Sequence, residues 1–210
     1  AKPLYADGQP GAPAPAEGVP GRVAALLPPG EAVGSGLVAV RGGVVLTWAP
    51  GMPGTTVPAG TLALGSPITA LARDGLLVWA ITVAGDLAAV DVADPARPRL
   101  VRSIRQNVPR DLSNDRAYHQ LVRIAPGVLW RVGWRGIGYR GTPYSFIDTW
   151  DVRDPERPSH AGIVDLSPGV GSVLAAGPSA IYAGGAYGSL GSSTRRLDVL
   201  DASDPLRPKV

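Results

Sequence analysis

One short pattern, D-x-x-D-P-x-R-P, occurs three times in this chain, at residues 91–98, 151–158 and 201–208. The copies start 60 and then 50 residues apart. Recurrence at such a period is typical of repeat architectures, in which each unit buries its apolar surface against its neighbours. The pattern therefore restricts the chain to a small set of repeat folds.

Each copy has the chemistry of a turn that follows a strand. Proline cannot donate an N–H to a strand ladder, and it holds the preceding Asp in an extended conformation. The Asp carboxylate can accept backbone N–H groups of its own turn. Metal ligation is the alternative role for these carboxylates, but the turn accounts for them without a metal ion. The predicted structural turn residues are Asp94, Pro95, Asp154, Pro155, Asp204 and Pro205.

Composition favours an all-β fold. The 210 residues are 45% hydrophobic and include 28 Gly and 22 Pro, which leave little room for helical periodicity. The absence of Cys excludes disulfides and thiolate sites. Because no run of 18 apolar residues occurs, no transmembrane helix is expected. The sequence shows neither an initiator Met nor a signal-peptide segment, which indicates a processed or trimmed product.

The strand rhythm predicts repeated four-stranded units. Residues 1–21 are rich in Pro, Ala and Gly and are expected to be a flexible linker. Four-stranded units of about 40–50 residues are typical of β-propeller blades. We therefore predict an all-β chain, a β-propeller of about four antiparallel four-stranded blades. The expected blades are 22–66, 67–104, 118–166 and 171–210.

Residues 86–101, DLAAVDVADPARPRLV, resemble the LVIVD repeat of bacterial and archaeal β-propellers. That repeat joins an apolar strand ending in Asp to an Asp-Pro corner and a following Leu-Val strand. Residues 145–164 and 196–210 match at the corner, whereas 22–66 match only in strand rhythm. The resemblance implies a propeller that is secreted or surface-associated, and it implies no particular activity.

The fourth blade stops where its outer strand should begin. Either the chain is a fragment or open arc of a propeller, or residues 2–6 supply the missing strand. An open arc would leave an unpaired edge near residues 197–200, prone to self-association.

Positive charge is concentrated in the middle of the chain. The formal net charge is +3, yet residues 97–140 hold ten Arg against Asp111 and Asp115. Such a basic stretch indicates an anionic partner. The alternative is that these Arg side chains are solvated strand faces and turn partners of the corner Asp residues.

No catalytic constellation is visible in the sequence. His119 and His160 are the two histidines, and neither has the companions that a metal site or a catalytic triad requires. His160 is expected to be a surface strand residue. No catalytic residue, cofactor or metal site is predicted.

Two insertions form the candidate binding surface, because propeller topology brings loops 105–120 and 134–145 to one face. Arg and aromatic residues are enriched at such surfaces. The alternative is that the aromatic residues pack the longer loop onto its own blade. The other tryptophans, Trp48, Trp79, Trp130 and Trp150, are expected in the core between blades. The candidate binding residues are Arg110, Arg116, His119, Trp134, Arg135, Tyr139, Arg140 and Tyr144.

Two functions are compatible with these features. The first is a non-enzymatic binding or scaffold propeller of the cell envelope, which recognises a protein or an anionic glycan and no nucleic acid. The second is the propeller domain of a secreted enzyme, a hydrolase or an oxidoreductase, with catalytic residues on the central face or elsewhere in a longer chain.

Overall fold

A computed structural model gives the structure of the chain. It describes residues 25–27, 36–50, 57–105, 117–137, 143–167, 172–176, 180–189 and 192–210. Within these ranges the chain forms fifteen strands and no helix, which confirms the all-β prediction. No helix in this part of the chain is long and apolar enough to cross a membrane. The expected linker 1–21 lies outside the described residues.

The strands form four antiparallel sheets, and each strand pairs with its neighbours in the sequence. Sheet 1 holds β1 (Ala25–Leu27), β2 (Val38–Arg41), β3 (Val44–Thr47) and β4 (Gly60–Ala63). Sheet 2 holds β5 (Ile68–Asp74), β6 (Leu77–Thr82), β7 (Leu87–Asp91) and β8 (Arg99–Ile104). Sheet 3 holds β9 (Ala117–Ala125), β10 (Val128–Ile137), β11 (Pro143–Asp151) and β12 (Ser159–Asp165). Sheet 4 holds β13 (Ser172–Ala176), β14 (Ala180–Ser189) and β15 (Ser192–Asp201).

The chain divides into two compact units, residues 1–105 and 106–210. In the first unit, sheets 1 and 2 share an apolar core that includes Val40, Val45, Val78 and Val90. Arg73 of β5 donates from Nη2 to the carbonyl of Gly36 over 2.7 Å, which links the two sheets, and burial lowers the pKa of this guanidinium. Apolar packing and this hydrogen bond thus both hold sheets 1 and 2 together.

The second unit is built the same way from sheets 3 and 4. Trp130, Val132 and Ile147 of sheet 3 pack with Val173 and Leu200 of sheet 4. The side-chain amide of Gln120 also donates to the carbonyl of Val173 over 3.1 Å and accepts from its N–H over 2.9 Å. This two-way contact joins β9 to β13, the first strands of the two sheets.

Each D-x-x-D-P-x-R-P copy forms the same double turn. The second carboxylate of the motif, Asp94, accepts the N–H of Ala96 over 2.9 Å, and Asp154 and Asp204 accept the equivalent N–H groups over 3.0 and 3.1 Å. The first carboxylate also takes part, because Asp91 Oδ1 accepts the N–H of Ala93 over 2.9 Å. The corner is therefore stabilised by two Asp side chains. Pro95, Pro155 and Pro205 follow the second Asp at the bend.

The corner of one sheet is also a docking point for the sheet before it within each unit. Thr47 Oγ1 donates to the carbonyl of Pro95 over 2.6 Å, and Thr149 Oγ1 donates to the carbonyl of Leu206 over 2.9 Å. Trp130 Nε1 adds a hydrogen bond of 2.7 Å to the carbonyl of Pro205. These contacts use corner carbonyls that no carboxylate of the turn can satisfy, since carboxylates accept hydrogen bonds and do not donate them.

Two expectations need correction. Residues 134–137 and 143–145 are strand rather than loop, and β9 begins at Ala117, inside the expected loop 105–120. Gly136 lies at an irregularity between the paired residues Arg135 and Ile137, and Pro143 begins a strand. Both residue types are tolerated at such positions.

Candidate functional site

Half of the candidate binding residues lie in the described part of the chain. His119 is in β9, Trp134 and Arg135 are in β10, and Tyr144 is in β11. The remaining four lie outside the described residues. They are Arg110, Arg116, Tyr139 and Arg140.

The strand register brings the four described positions to one end of sheet 3. Arg135 pairs with Tyr144 across β10 and β11, and Trp134 pairs with Ala117 of β9 on its other side. The β10 strand has ten residues, whereas its counterpart β6 has six. At about 3.3 Å per residue, the longer strand extends roughly 13 Å further. The sequence differences thus build a longer three-stranded end on sheet 3.

The basic stretch continues from the first corner along β8, the outer strand of sheet 2. Arg99 and Arg105 pair with Asp91 and Asp86 at 2.9 and 3.2 Å. Arg102 is exposed, and it forms no ion pair within the described residues. A bulge at the Ala89–Val90 register shift places Arg102 on the same sheet face as Arg99, although the two are three residues apart.

Arg97 adds a second exposed charge beside this strand. It is the Arg of the first D-x-x-D-P-x-R-P corner, and its backbone N–H donates to the carbonyl of Asp94 over 3.0 Å. Its guanidinium also has no ion-pair partner among the described residues. Arg97 and Arg102 are therefore the described members of the basic stretch whose charge is available to a partner.

A second polar group, which the sequence analysis missed, lies inside sheet 3. Arg131 Nε of β10 donates to Asp148 Oδ2 of β11 over 2.8 Å, and Nη2 contacts the same oxygen. Their side chains are 0% and 1% exposed. The two residues are direct partners in the strand register. This buried ion pair satisfies the expectation that buried charges are paired.

The pair extends to the outer strand through His160. His160 Nε2 of β12 lies 2.6 Å from Asp148 Oδ1, and the His160 side chain is 38% exposed. Trp150 packs edge-on against the imidazole, with 5.5 Å between ring centroids, and the Arg131 guanidinium lies 4.8 Å from the Trp150 ring centroid. The expectation that His160 is a surface strand residue is therefore incomplete, because its Nε2 atom contacts the buried carboxylate of Asp148.

Comparison with sheet 2 shows how unusual this cluster is. The matching register positions there are Ala80, Ala88, Val90 and Leu100, all apolar. Aligning the two repeats on Asp91 and Asp151 would have revealed a charged pair where the other copy has two alanines. The sequence therefore did contain evidence for the buried pair, but only as a difference between two copies of the repeat.

The cluster ties β10, β11 and β12 together in the sheet whose far end carries Trp134, Arg135 and Tyr144. No group of three or more His, Cys, Asp or Glu side chains in the described ranges is arranged to hold a metal ion. Asp148 contacts Nε2 of His160, which leaves Nδ1 available. A general base that a carboxylate orients has the same arrangement.

No protein-family model and no curated protein matches the sequence. Among solved structures, a chain of an S. cerevisiae complex is similar, that of a Dbp5 variant bound to Nup159, a Gle1 variant, IP6 and ADP. The TM-score is 0.45 and the identity is 10%, over 80% of this chain and 42% of that one. At these values the likeness bears on neither the fold nor the function of the present chain.

Proposed function

We propose that this chain is a non-enzymatic binding or scaffold module that recognises an anionic partner through its basic stretch. The module is an incomplete β-propeller of the LVIVD type, its sheets are the blades, and it works outside the cytoplasm at the cell envelope. The partner is a protein or a glycan that presents a row of carboxylates. The repeated corner and the meander of four-stranded sheets support the propeller assignment.

The observation that carries the proposal is the pair Arg97 and Arg102. Both side chains are exposed on the outer strand of sheet 2 or its corner, and neither has an ion-pair partner in the described residues. A guanidinium presents a planar fork of donors that matches a carboxylate with two parallel hydrogen bonds. Two such groups beside one edge strand fit a polymer that carries one carboxylate on each unit.

The same stretch continues in sequence to the aromatic positions of sheet 3. There the register places Arg135 opposite Tyr144 and next to Trp134, so charge and aromatic residues lie on adjacent strands. Aromatic residues supply contact area for sugar rings or side chains at binding surfaces, whereas Arg supplies the charge. The extended end of sheet 3 therefore carries residue types that recognise anionic polymers, as the outer strand of sheet 2 does.

Surface plasmon resonance with immobilised polymers tests the proposal. We expect the chain to bind polyglutamate or polygalacturonate and to ignore neutral dextran and polylysine. A preference for polygalacturonate assigns a glycan partner, and a preference for polyglutamate assigns an acidic protein. Equal binding to dextran, or no binding to either anionic polymer, would reject recognition of an anionic partner.

One observation favours the second function, a propeller domain of a secreted enzyme. Asp148 holds the partly exposed imidazole of His160 at 2.6 Å, as a positioned carboxylate does for a general base. If this pair is catalytic, ester or glycoside substrates will be turned over by the isolated chain, and His160→Gln will abolish the turnover. Activity that survives His160→Gln would remove the one observation on which the enzyme function rests.

A further inference from the structure

The outer strand of sheet 2 has one open edge. No described strand pairs with β8 on the side away from β7. The side chain of Arg99 is 73% exposed, and Leu100 is 45% exposed. An edge strand carries N–H and C=O groups that can pair with another chain. The edge of β8 therefore offers both backbone groups and side chains to a partner.

A hydrogen bond on the other side of sheet 2 shows which way the backbone of β7 faces. The N–H of Val92, directly after β7, donates to the carbonyl of Leu76 over 2.9 Å. Alternate residues of an antiparallel strand direct their backbone groups to opposite neighbours. Because Val92 faces the β6 side, Asp91 and Ala89 face β8. These two are therefore the β7 residues whose backbone groups bond to β8.

The register of β8 then identifies its outward-facing groups. Arg99 and Arg102 pair with the two β7 residues that face β8, so their own backbone groups point inward. In the alternating pattern of an antiparallel strand, Leu100 and Ser103 direct their N–H and C=O groups to the open edge. The edge thus has donors and acceptors at two known positions.

The bulge in β8 gives the two faces of this edge different chemistry. It inserts Val101 as an extra residue, so Arg99 and Arg102 share one face of the sheet. Leu100 and Ser103 lie on the opposite face. With the extra residue left out, the edge alternates strictly between arginine and an uncharged side chain. An added strand, whose own side chains alternate between faces, matches this pattern with acidic residues on one face only.

Charge complementarity favours an acidic strand at this edge. Arg102 is exposed and forms no ion pair within the described ranges. Arg99 contacts Asp91 Oδ2 through Nε and Nη2 at 3.0 and 2.9 Å, and a guanidinium has five N–H donors, so donors remain for a second carboxylate. The last strands of sheets 1 and 3, β4 and β12, contain no Lys or Arg. The arginines therefore distinguish β8 from these other outer strands.

We propose that the β8 edge binds an extended acidic segment of a partner protein, which adds to sheet 2 as a fifth strand. This inference rests on the proposed recognition of an anionic partner, and it assigns that partner to the protein class. The segment runs antiparallel to β8, as β7 does. Its acidic residues lie opposite Arg99 and Arg102, and an apolar residue lies opposite Leu100.

A second copy of this chain fits the edge less well than an acidic segment. With Val101 left out of the ladder, symmetric antiparallel pairing about Leu100 would set Arg99 opposite Arg102 of the copy. Pairing about Arg102 would set that residue opposite itself. Like charges directly opposite each other are destabilising. A second copy therefore meets repulsion where an acidic strand meets attraction.

Fluorescence anisotropy with a labelled peptide, Thr-Thr-Glu-Val-Glu-Thr-Thr, tests the site on the full chain. Opposite Leu100, the central Val directs its N–H to β8. A peptide with N-methylvaline there loses this N–H and keeps both charges, and we expect it to bind at least about tenfold more weakly. N-methylation of the following Glu, whose N–H faces away from β8, should change binding by less than about twofold.

Two outcomes of this experiment separate strand addition from recognition of an anionic partner. Equal binding of the unmodified and N-methylvaline peptides, both weakened by Arg102→Gln, would overturn strand addition and leave charge recognition standing. Absence of peptide binding, with binding of an anionic polymer retained, would do the same. Peptide binding that is unchanged in Arg102→Gln would instead contradict the proposed function.

Two matched proline variants locate the binding. Ser103→Pro removes an outward-facing N–H of β8, a position at which an edge strand tolerates proline, and should weaken the unmodified peptide at least about tenfold. The control is Ile163→Pro, because Ile163 pairs with Asp148 in sheet 3 as Ser103 pairs with Ala88 in sheet 2. The control should bind the peptide like the wild type. Equal loss in the two variants would contradict the assignment to β8.

Hydrogen exchange and sedimentation identify any other occupant. In the free chain, the amide hydrogens of Leu100 and Ser103 should exchange rapidly, and the peptide should slow them. Slow exchange in a free monomer would mean that the chain itself already covers the edge. Concentration-dependent dimers that the peptide does not dissociate would assign the edge to a second copy. Either result overturns the proposal.

Discussion

Arg131 Nε donates to Asp148 Oδ2 over 2.8 Å, and the sheet encloses both side chains completely. In the neighbouring repeat the same two positions are Ala80 and Ala88, which pair in the same register. The fold therefore tolerates small apolar residues there, and the ion pair distinguishes sheet 3 from sheet 2. With His160, it connects three of the four strands that support the extended end of that sheet.

Breaking this pair should destabilise the second unit strongly. Asp148→Ala leaves the Arg131 charge buried without its main partner, and such losses cost about 3–5 kcal/mol. The double variant with Arg131→Ala should cost less than the sum of the two single changes, since the stranded charge is removed as well. Urea denaturation, monitored by tryptophan fluorescence, measures the free energy of unfolding of each variant. Arg153→Ala, which removes an exposed ion pair of the same sheet, is the control and should barely move the midpoint.

The corner carboxylates should act through hydrogen bonds and not through a metal ion. Asp94→Ala removes the acceptor for the N–H of Ala96, and comparable losses cost about 1 kcal/mol. Asp94→Asn keeps an oxygen acceptor and should restore most of the stability. The midpoint of thermal unfolding measures both. A midpoint that rises strongly with added calcium would contradict the turn-only account.

The hydroxyl of Thr149 should stabilise the contact between sheets 3 and 4. It lies 2.9 Å from the carbonyl of Leu206 and 3.2 Å from that of Gly162, so its single proton favours the nearer one. Thr149→Val keeps the shape and leaves a carbonyl without its donor, at a cost of about 1–3 kcal/mol. Thr149→Ser keeps the hydroxyl and is the control. Equal stability of the two variants would show that the hydroxyl is dispensable.

Acid should weaken the corner of sheet 3 through Asp151. The side-chain hydrogen bond from Arg153 holds the pKa of Asp151 below its ordinary value. Because the folded-state pKa is the lower one, this contribution is complete above the ordinary value of about 3.9 and is lost as pH falls through the folded-state pKa. In Arg153→Gln, the pKa of Asp151 should rise, as carbon-13 NMR of the carboxyl group measures. An unchanged pKa would assign the shift to the backbone N–H instead.

The corners could be predicted because their chemistry is local. Asp-Pro stops a strand, and the Asp side chain finds backbone donors within two residues, as Asp94, Asp154 and Asp204 do. The burial of Trp79 and Trp130 followed from their position in apolar strands, and it is confirmed. Both kinds of inference need only the residue and its close neighbours in the sequence.

The buried pair and the long hairpin could not be predicted in the same way. Arg131 and Asp148 are 17 residues apart, and only the strand register makes them partners. A single strand that contains Arg indicates an exposed face, and the arginine-rich stretch strengthened that expectation for Arg131. The continuation of β10 through Gly136 was missed as well, because nothing local shows that the strand accommodates this glycine at an irregularity.

The most direct test of the central claim is the affinity for polyglutamate or polygalacturonate, whichever binds, at about 50 and about 300 mM salt. Exposed charge pairs are screened over about 8 Å at physiological ionic strength, so wild-type binding should weaken as salt rises. Arg97→Gln with Arg102→Gln should weaken binding at low salt by at least about tenfold and reduce the salt dependence. Arg157→Gln with Arg207→Gln, which removes two exposed corner charges outside residues 97–140, should bind like the wild type. Salt-independent binding, or equal loss in the two double variants, would contradict recognition by the arginine stretch.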